Sequence, residues 1–215
     1  MILLGDIGNT ETKICLVSLN KKIIKKITFS SKNITNNKLK KNFKKLKLKN
    51  LSLEKCLFCS VVPKNFKIIK KYIARFYKIK CFELKDLKIN KLIKIKVNKK
   101  QIGSDRLANA IGSINDKDNF IILDFGTATT FDVLVKNVYH GGVISPGIRL
   151  SLNTLITNAS LIPNLNLKKI DKVIGSDTVN AVRSGFFWGY RGLIDNIVNL
   201  IKKETRKSFK IIITG

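Results

Sequence analysis

Residues 121–135 carry the feature that most constrains the fold, a polar turn enclosed by two apolar runs. The segment reads IILDFGTATTFDVLV, and its centre contains Asp124, Gly126 and Thr127. Two apolar runs around a short polar turn predict a strand, a tight turn and a second strand. Glycine lets the backbone approach an anion closely, and the N–H and hydroxyl groups are donors for phosphate oxygens. A carboxylate at the end of a buried strand is costly unless it meets a cation or a proton donor. The segment therefore predicts a hairpin that binds phosphate or a cation.

The N-terminal segment DIGNTETKICLV repeats this pattern. Either copy alone can arise by chance, because D-x-G is common. Two copies in register, each after an Ile/Leu strand, favour duplication. We therefore expect two related domains that each present a polar hairpin to one cleft. The residues that align without a gap are Asp6 with Asp124, Gly8 with Gly126, Thr12 with Thr130, Leu16 with Leu134 and Val17 with Val135.

The formal net charge of +28 suggests nucleic acid, an anionic membrane surface or an anionic substrate as a partner. The lysines are interleaved with Ile and Asn, however, and these three residues share AT-rich codons. Genome composition is therefore the preferred explanation, and no motif of a nucleic-acid-binding protein accompanies the charge. With 44% hydrophobic residues, the chain is expected to fold.

Membrane and metal roles are not favoured by the sequence. No apolar run approaches the roughly 20 residues that span a bilayer, and a functional loop starting at Asp6 leaves no room for a removable signal. Cys56 and Cys59 have neither a second cysteine pair nor a histidine partner, so neither zinc binding nor redox chemistry is expected. The single histidine, His140, adjoins a Gly-Gly turn and is interpreted as a surface residue rather than a catalyst. A cytoplasmic protein is expected.

Hydrophobic periodicity predicts an α/β chain. A solvated helix is expected over residues 31–50, and an amphipathic helix over 65–77. Glycines 185, 189 and 192 fall inside the longest helical pattern, so close packing against another helix is expected to offset their cost, and a subunit interface is one candidate partner. Strands are predicted over 2–4, 13–19, 23–29, 57–62, 79–82, 92–97 and 209–213, and further helices from 104, over 149–159 and over 178–204.

The segment QIGSDRLANAIG begins at Gln101 and predicts the start of a helix. Ser104 is expected to be its N-cap, which places Asp105 and Arg106 in the first turn. A first-turn aspartate usually complements the helix dipole. Asp105 would act as a base only with a substrate beside it.

Several motifs occur in a specific order along the chain. They are D-x-G-N-T, S-V-V-P, G-x-D-R, D-x-G-T-A-T-T, G-G-x-I-x-P-G and T-x-x-A-x-x-S-G. In this order they resemble the type III pantothenate kinases of the acetate-and-sugar-kinase/actin superfamily. The resemblance implies an α/β fold of two duplicated ribonuclease-H-like (actin/sugar-kinase type) domains with an ATP cleft between them. We expect domain boundaries at 1–114 and 115–215.

The resemblance also implies roles for individual residues. It implies pantothenate as substrate, ATP with Mg²⁺, a monovalent cation (K⁺ or NH₄⁺) and a homodimer. Asp105 is the implied proton acceptor, and Asp124 the implied ligand of the monovalent cation. Arg106 is expected to pair with the carboxylate of pantothenate or to orient Asp105. The implied ATP-binding residues are Asp6, Ile7, Gly8, Asn9, Thr10, Glu11, Thr12, Lys13 and Thr127, and the implied pantothenate-binding residues are Gly103, Ser104, Asp105, Arg106 and Thr178.

Two departures from the family pattern concern the acceptor pocket and the C-terminus. Lys96 and Lys99 stand where members usually have a tyrosine and a proline, which changes the expected pocket wall. Members also continue past a T-G-G near the adenosine, whereas this sequence ends at Thr214-Gly215. A second domain shortened at its C-terminus is therefore expected.

Three functions remain open from the sequence. The first is phosphorylation of pantothenate to 4′-phosphopantothenate, the first step of coenzyme A biosynthesis. The second is a non-catalytic, nucleotide-binding regulatory relative that is possibly associated with nucleic acid. The third is another kinase of the same superfamily. The joint presence of Asp6, Asp105, Arg106, Asp124 and Thr127 favours the first.

Overall fold

The computed structural model describes residues 1–48 and 51–215. The chain divides into two compact units. Unit 1 comprises Met1–Lys94 and Asn98–Gly112, and unit 2 comprises Ile95–Val97 and Ser113–Gly215. Two five-stranded sheets form the centre of the fold.

Unit 1 contains a mixed sheet with helices on one face. Its elements are β1 (Ile2–Ile7), β2 (Glu11–Val17), β3 (Ile23–Ser30), α1 (Asn36–Leu46), β4 (Lys55–Ser60), α2 (Pro63–Tyr77) and β5 (Cys81–Glu83). The strand order is β3-β2-β1-β4-β5. The first three strands are antiparallel neighbours, whereas β4 is parallel to β1 and β5 is parallel to β4. Short 3-10 helices follow at Leu84–Asp86, Ile89–Lys91 and Lys99–Gln101, together with α3 (Ser104–Ser113). The intervening strand β6 (Lys94–Ile95) belongs to the sheet of unit 2.

Helix α1 buries one face in the core of unit 1, so the prediction of a solvated helix was wrong. Leu39, Phe43 and Leu46 recur at helical spacing and are buried, and the Phe43 ring lies 5.1 Å from that of Tyr72 on α2. Lysines occupy the other face, so the segment is amphipathic despite its high lysine and asparagine content. The last two residues of that prediction, 49 and 50, lie outside the described residues.

Unit 2 contains a second sheet with two long helices. Its elements are β7 (Asn119–Phe125), β8 (Ala128–Val135), β9 (Val138–Pro146), α4 (Ile148–Asn158), α5 (Thr178–Thr205) and β10 (Lys210–Thr214). The strand order is β10-β7-β8-β9-β6. Its core joins Phe131 and Val133 of β8 to Val198 and Ile201 of α5. Burial of this sheet face therefore holds the C-terminal half of α5.

The strand topology of unit 1 recurs in unit 2. In both, an antiparallel meander of three strands is followed by helical segments and by a strand that returns parallel to the first. The predicted α/β fold of two related parts is confirmed. The alignment of Thr12 with Thr130 was wrong by one residue, because Thr12 pairs with Ile7 whereas Thr129 pairs with Phe125. The first turn is one residue longer than the second, which an ungapped comparison cannot reveal.

The glycines of α5 face open space. A Cβ atom added at Gly185, Gly189 or Gly192 would meet no other atom within 4 Å, apart from the helix's own nearby backbone. In the described part of the chain, no second helix packs on these glycines, so the expected close packing against another helix is not found within this chain. A groove of about 390 Å³ instead runs along this face, with Leu155 and Phe186 among its lining residues.

Within residues 1–48 and 51–215, no helix has both the length and the apolar character needed to cross a bilayer.

Candidate active site

The carboxyl ends of three adjacent parallel strands bring polar side chains to one edge of the sheet in unit 1. Asp6 is near the end of β1, Cys59 near the end of β4, and Glu83 ends β5. The register places Asp6 directly beside Cys59. The Cys59 Sγ atom lies 3.5 Å from Oδ1 of Asp6 and 3.6 Å from the carbonyl oxygen of Gly5. The thiol is therefore placed to donate to the Asp6 carboxylate.

The pKa of the Cys59 thiol depends on its burial and on nearby carboxylates. Burial raises the pKa of the Cys59 thiol well above its usual range, and the negative charges of Asp6, Asp105 and Glu83 raise it further. The thiol stays protonated at neutral pH and acts as a neutral hydrogen-bond donor rather than a nucleophile. Asp6 is in direct contact with this sulfur atom, and the charges of two carboxylates from distant parts of the sequence, Asp105 and Glu83, also act on it.

The segment that carries Asp105 is compact. The Oδ1 atom of Asp105 accepts a hydrogen bond from the backbone N–H of Arg106 at 2.8 Å. The carboxylate lies so close to Gly103 that a Cβ atom on residue 103 would overlap Oδ1. Asp105 and Arg106 are half-buried, so both can be reached by a small molecule.

Ser104 has a different role from the predicted N-cap. It is the first residue of α3, it is buried, and its hydroxyl donates to the carboxylate of Glu83. The prediction was wrong because the competing acceptor comes from β5, about twenty residues earlier in the chain. The sequence analysis missed Glu83. Its position at the end of a short predicted strand was the available signal, since the carboxyl ends of parallel strands meet at one edge.

The first hairpin turn presents its backbone to solvent. The N–H of Gly8 donates to the carbonyl of Glu11 at 2.9 Å, and Asn9, Thr10 and Glu11 are exposed. Thr12 is instead buried with Ser31, and the two hydroxyl oxygens are 2.9 Å apart. Ile7 is in the hydrophobic core and Lys13 is half-buried. The groups of this loop that can reach a phosphate are therefore centred on the turn itself.

Backbone hydrogen bonds and close backbone contacts hold the second hairpin turn. Gly126 donates to the carbonyl of Ala128 at 3.0 Å, and Gly147 donates to that of Thr127 at 3.0 Å. A Cβ atom on Gly147 would collide with the carbonyl oxygens of Gly126 and Thr127, and one on Gly215 would lie 2.6 Å from the carbonyl oxygen of Phe125. These contacts require glycine, because backbone atoms cannot move aside as side chains do. The Thr127 side chain remains exposed.

Asp124 has oxygen-bearing neighbours on both adjacent strands. It pairs in register with Thr130 of β8 and with Thr214 of β10. Carboxylate, hydroxyl and carbonyl oxygens are suitable ligands for hard cations. The residue types present therefore fit a monovalent cation. Among the described residues, no group of three or more His, Cys, Asp or Glu side chains could hold a metal ion.

Thr178 is the exposed first residue of α5. The preceding residue, Asp177, is the N-cap, and its Oδ1 accepts from the N–H of Asn180 at 2.9 Å. This hydrogen bond lowers the pKa of Asp177. Thr178 belongs to unit 2, whereas the segment Gly103–Arg106 belongs to unit 1.

Comparison with known proteins identifies the family. The model of the type III pantothenate kinase family matches residues 2–200. The chain belongs to this family. The prediction of a type III pantothenate kinase relative is therefore confirmed.

Two curated relatives match over the whole of this chain. The type III pantothenate kinase of Pelagibacter ubique (strain HTCC1062) is 68% identical over 215 residues, which cover 100% of this chain and 87% of the relative. That of Sulfurihydrogenibium sp. (strain YO3AOP1) is 33% identical over 222 residues, covering 100% of this chain and 88% of the relative. A crystal structure of a conserved Campylobacter jejuni protein assigned to the Baf family of transcriptional activators has a TM-score of 0.54 and 18% identity. That match covers 97% of this chain and 80% of the other, and supports the fold alone.

This family member also buries a carboxylate that the sequence analysis did not single out. Asp132 on β8 and Tyr139 on β9 are both fully buried, and the Tyr139 hydroxyl donates to Oδ1 of Asp132 at 2.5 Å. Thr130 Oγ1 lies 3.5 Å from the other carboxylate oxygen. The signal was present, because Asp132 interrupts the apolar run from Phe131 to Val135. Asp132 and its partners therefore form a buried polar cluster on β8. The cluster lies two residues from Thr130, which pairs with Asp124.

His140 is half-buried rather than fully exposed. Burial lowers the pKa of its imidazole, and the positive charges of Lys96 and Lys207 lower it further. Lys96 is exposed and its backbone N–H donates to the carbonyl of Tyr139 at 3.0 Å. Lys99 is half-buried in a 3-10 helix of unit 1. These two lysines, which depart from the family pattern, thus belong to different units.

Proposed function

We propose that this chain transfers the γ-phosphoryl group of ATP to the 4′-hydroxyl of pantothenate, releasing 4′-phosphopantothenate and ADP. This is the first step of coenzyme A biosynthesis. Family membership over residues 2–200 supports the reaction. The structural observations that carry it are the contact between Cys59 Sγ and Asp6 Oδ1 at 3.5 Å and the packing of the Asp105 segment beside Val61, two residues after Cys59. Unit 1 thereby contains both Asp105, proposed to act on the acceptor hydroxyl, and Asp6, proposed to lie near the phosphates of ATP.

On the acceptor side, Asp105 is proposed as the base. Its carboxylate accepts the proton of the pantothenate hydroxyl as the oxygen attacks the γ-phosphorus and the bond to ADP breaks. In a loose transition state the proton leaves late, so an ordinary carboxylate suffices. Arg106 follows Asp105 directly, and its planar guanidinium suits the carboxylate of pantothenate. Gly103, Thr178 and the backbone of Ser104, whose side chain is buried, complete the proposed pantothenate-binding set.

On the nucleotide side, the first hairpin is proposed to bind the triphosphate. The exposed turn residues Asn9, Thr10 and Glu11, next to half-buried Gly8, supply backbone donors, and Lys13 adds a positive charge at the base of the hairpin. Asp6 is proposed to lie near the metal-bound phosphates, whereas Ile7 and Thr12, with buried side chains, contribute through the backbone. Mg²⁺, when bound, would neutralise charge on the transferring phosphoryl group. Thr127 is proposed as a second nucleotide contact.

A monovalent cation, K⁺ or NH₄⁺, is proposed at Asp124. The threonines that pair with Asp124 in register offer further oxygen atoms for such an ion. Because a cation bound there would order the second hairpin, we expect activity to depend on which monovalent ion is present.

A homodimer is proposed as the working assembly. The open glycine face of α5 supports this, because an exposed groove of about 390 Å³ lined by Leu155, Phe186 and their neighbours favours a protein partner. The separate domain boundaries, 1–114 and 115–215, and a cytoplasmic location remain predictions.

The test is an assay with purified protein, ATP, Mg²⁺, K⁺ and pantothenate. We expect 4′-phosphopantothenate from the wild type and a loss of at least about 100-fold in kcat for Asp105→Asn, which cannot accept the proton. Asp171→Asn, at an exposed carboxylate, is the matched control and should retain full activity. ATP binding to wild type without turnover would reject the kinase reading in favour of a non-catalytic nucleotide-binding protein. Turnover of another alcohol but not pantothenate would assign a different acceptor.

A further inference from the structure

We propose that Glu83 and Lys85 form a bracket that positions the segment carrying Asp105. This inference rests on the proposed function and deepens it, because it assigns two positioning residues to the acceptor site. Neither residue belongs to the motifs by which the family was recognised. Glu83 ends β5 and Lys85 lies in the 3-10 helix that follows, and both contact the chain just before Asp105.

Glu83 uses both of its carboxylate oxygens. Oε2 accepts from the backbone N–H of Lys85 at 2.5 Å, which fixes the side chain over the following 3-10 turn. Oε1 accepts from the hydroxyl of Ser104. Ser104 is only 1% exposed, so its hydroxyl has little access to water as an alternative partner. Glu83 therefore fixes the residue that directly precedes Asp105.

Lys85 binds the same segment at Ile102, two residues before Ser104. Its Nζ atom donates to the carbonyl of Ile102 at 2.8 Å and to that of Lys100 at 3.0 Å. Lys85 is half-buried, unlike the exposed Lys88 nearby. An ammonium group shared between two backbone carbonyls ties the loop to β5 by charge-assisted hydrogen bonds. Ile102 is itself buried, which anchors the loop between these bonds.

The hydrogen bonds from Glu83 and Lys85 hold the loop at residues 100, 102 and 104. The Asp105 carboxylate has little freedom, because Gly103 lies against it and the Arg106 N–H binds it. A displacement of the loop would therefore be passed directly to the catalytic carboxylate. Misplacing a reacting group by about 1 Å can cost on the order of 100-fold in rate. Glu83 and Lys85 would thus act through Asp105 without touching substrate.

The experiment compares Glu83→Ala, Lys85→Met and Lys85→Arg with the matched control Lys88→Met. We expect Glu83→Ala and Lys85→Met to lower kcat/KM for pantothenate by about 10- to 100-fold, with KM for ATP changed by less than about twofold. Lys85→Arg keeps the charge and the donors, so it should recover most of the activity. Lys88→Met should match the wild type. Equal losses for Lys85→Arg and Lys85→Met, or equal changes in the two substrates' KM values, would overturn the bracket.

Hydrogen exchange of the backbone amides of residues 101–106 supplies a readout that does not depend on turnover. Faster exchange there in Glu83→Ala and Lys85→Met, but not in Lys88→Met, supports the bracket. Unchanged exchange overturns it, as does faster exchange over the whole of unit 1, which would indicate general destabilisation. If the wild type does not phosphorylate pantothenate, the proposed function fails, and the exchange measurement alone decides whether the bracket exists.

Discussion

The carboxylate of Asp105 rests directly on Gly103, and no side chain at position 103 could occupy the same space. The glycine of the G-S-D-R segment is therefore explained by the position of the proposed base rather than by its own backbone angles, since only Gly141 and Gly215 among the glycines have positive φ. The other nearby atom, Val61 Cγ1, is at an ordinary contact distance of 3.6 Å from the added Cβ.

Gly103→Ala should impair catalysis more than folding. The added methyl group meets chiefly a movable side chain, so the protein should fold while Asp105 is displaced. We expect kcat to fall by at least about 10-fold, with the melting temperature changed little. Gly112→Ala, where an added Cβ meets nothing within 4 Å, is the control and should keep full activity. A large loss of melting temperature in Gly103→Ala with normal kcat per folded molecule would contradict this account.

Cys59 should be unreactive in the native state. Because burial and three carboxylates raise its pKa, the thiolate fraction at pH 8 is smaller than for an ordinary cysteine. We expect alkylation of Cys59, followed by mass spectrometry, to be slow until the protein is unfolded. Cys59→Ser keeps a donor for Asp6 and should retain activity, whereas Cys59→Ala should raise KM for ATP. Rapid native-state alkylation would refute the assignment.

Tyr139→Phe should destabilise unit 2. It removes the hydroxyl that donates to the fully buried Asp132 carboxyl group. Removing one partner of a buried hydrogen bond costs about 1–3 kcal/mol, so we expect a loss of that size in the free energy of unfolding measured in urea. Tyr77→Phe is a suitable control, at a half-buried ring stacked on Phe43 at 5.7 Å. A cost at Tyr139 no larger than at Tyr77 would show that the hydroxyl is not important.

His140 should make stability depend on pH on the acid side of neutrality. Burial and the neighbouring lysines lower its folded-state pKa below the ordinary 6.5. The unfolded state therefore binds the proton first, so stability falls as pH decreases from about 6.5 towards the folded-state pKa. Thermal unfolding from pH 8 to pH 5 measures this slope. His140→Gln should reduce the slope, and an unchanged slope would assign it to other groups.

Gly189→Arg should separate assembly from folding. The site is an exposed helix position with open space, so the substitution should be tolerated and even favour the helix by about 1 kcal/mol. If a second copy covers this face, the arginine should convert the dimer to a monomer in sedimentation or light-scattering measurements. Gly112→Arg introduces the same side chain at another exposed helical glycine and should leave the assembly unchanged. A monomeric wild type would reject the dimer directly.

Sequence and structure agree best where short-range patterns decide the outcome. Strand periodicity predicted both hairpins, and apolar spacing predicted α2, α4 and α5 within a few residues. They disagree at Ser104, whose hydroxyl binds Glu83 rather than capping its own helix. They also disagree at Thr12, whose counterpart is Thr129, because a one-residue difference in turn length changes the register.

The sequence by itself determined the family, the duplicated hairpins and the residue types of the proposed chemistry, because these are properties of ordered motifs and of local periodicity. Tertiary structure alone decided which of those residues meet. Asp6, Cys59 and Glu83 converge because β1, β4 and β5 are adjacent and parallel, and strand order is set by long-range pairing that no local pattern specifies. The hairpin at residues 121–135 illustrates the same division. Its turn was evident from composition, whereas its packing on Gly147 and Gly215 depends on segments brought back by the fold.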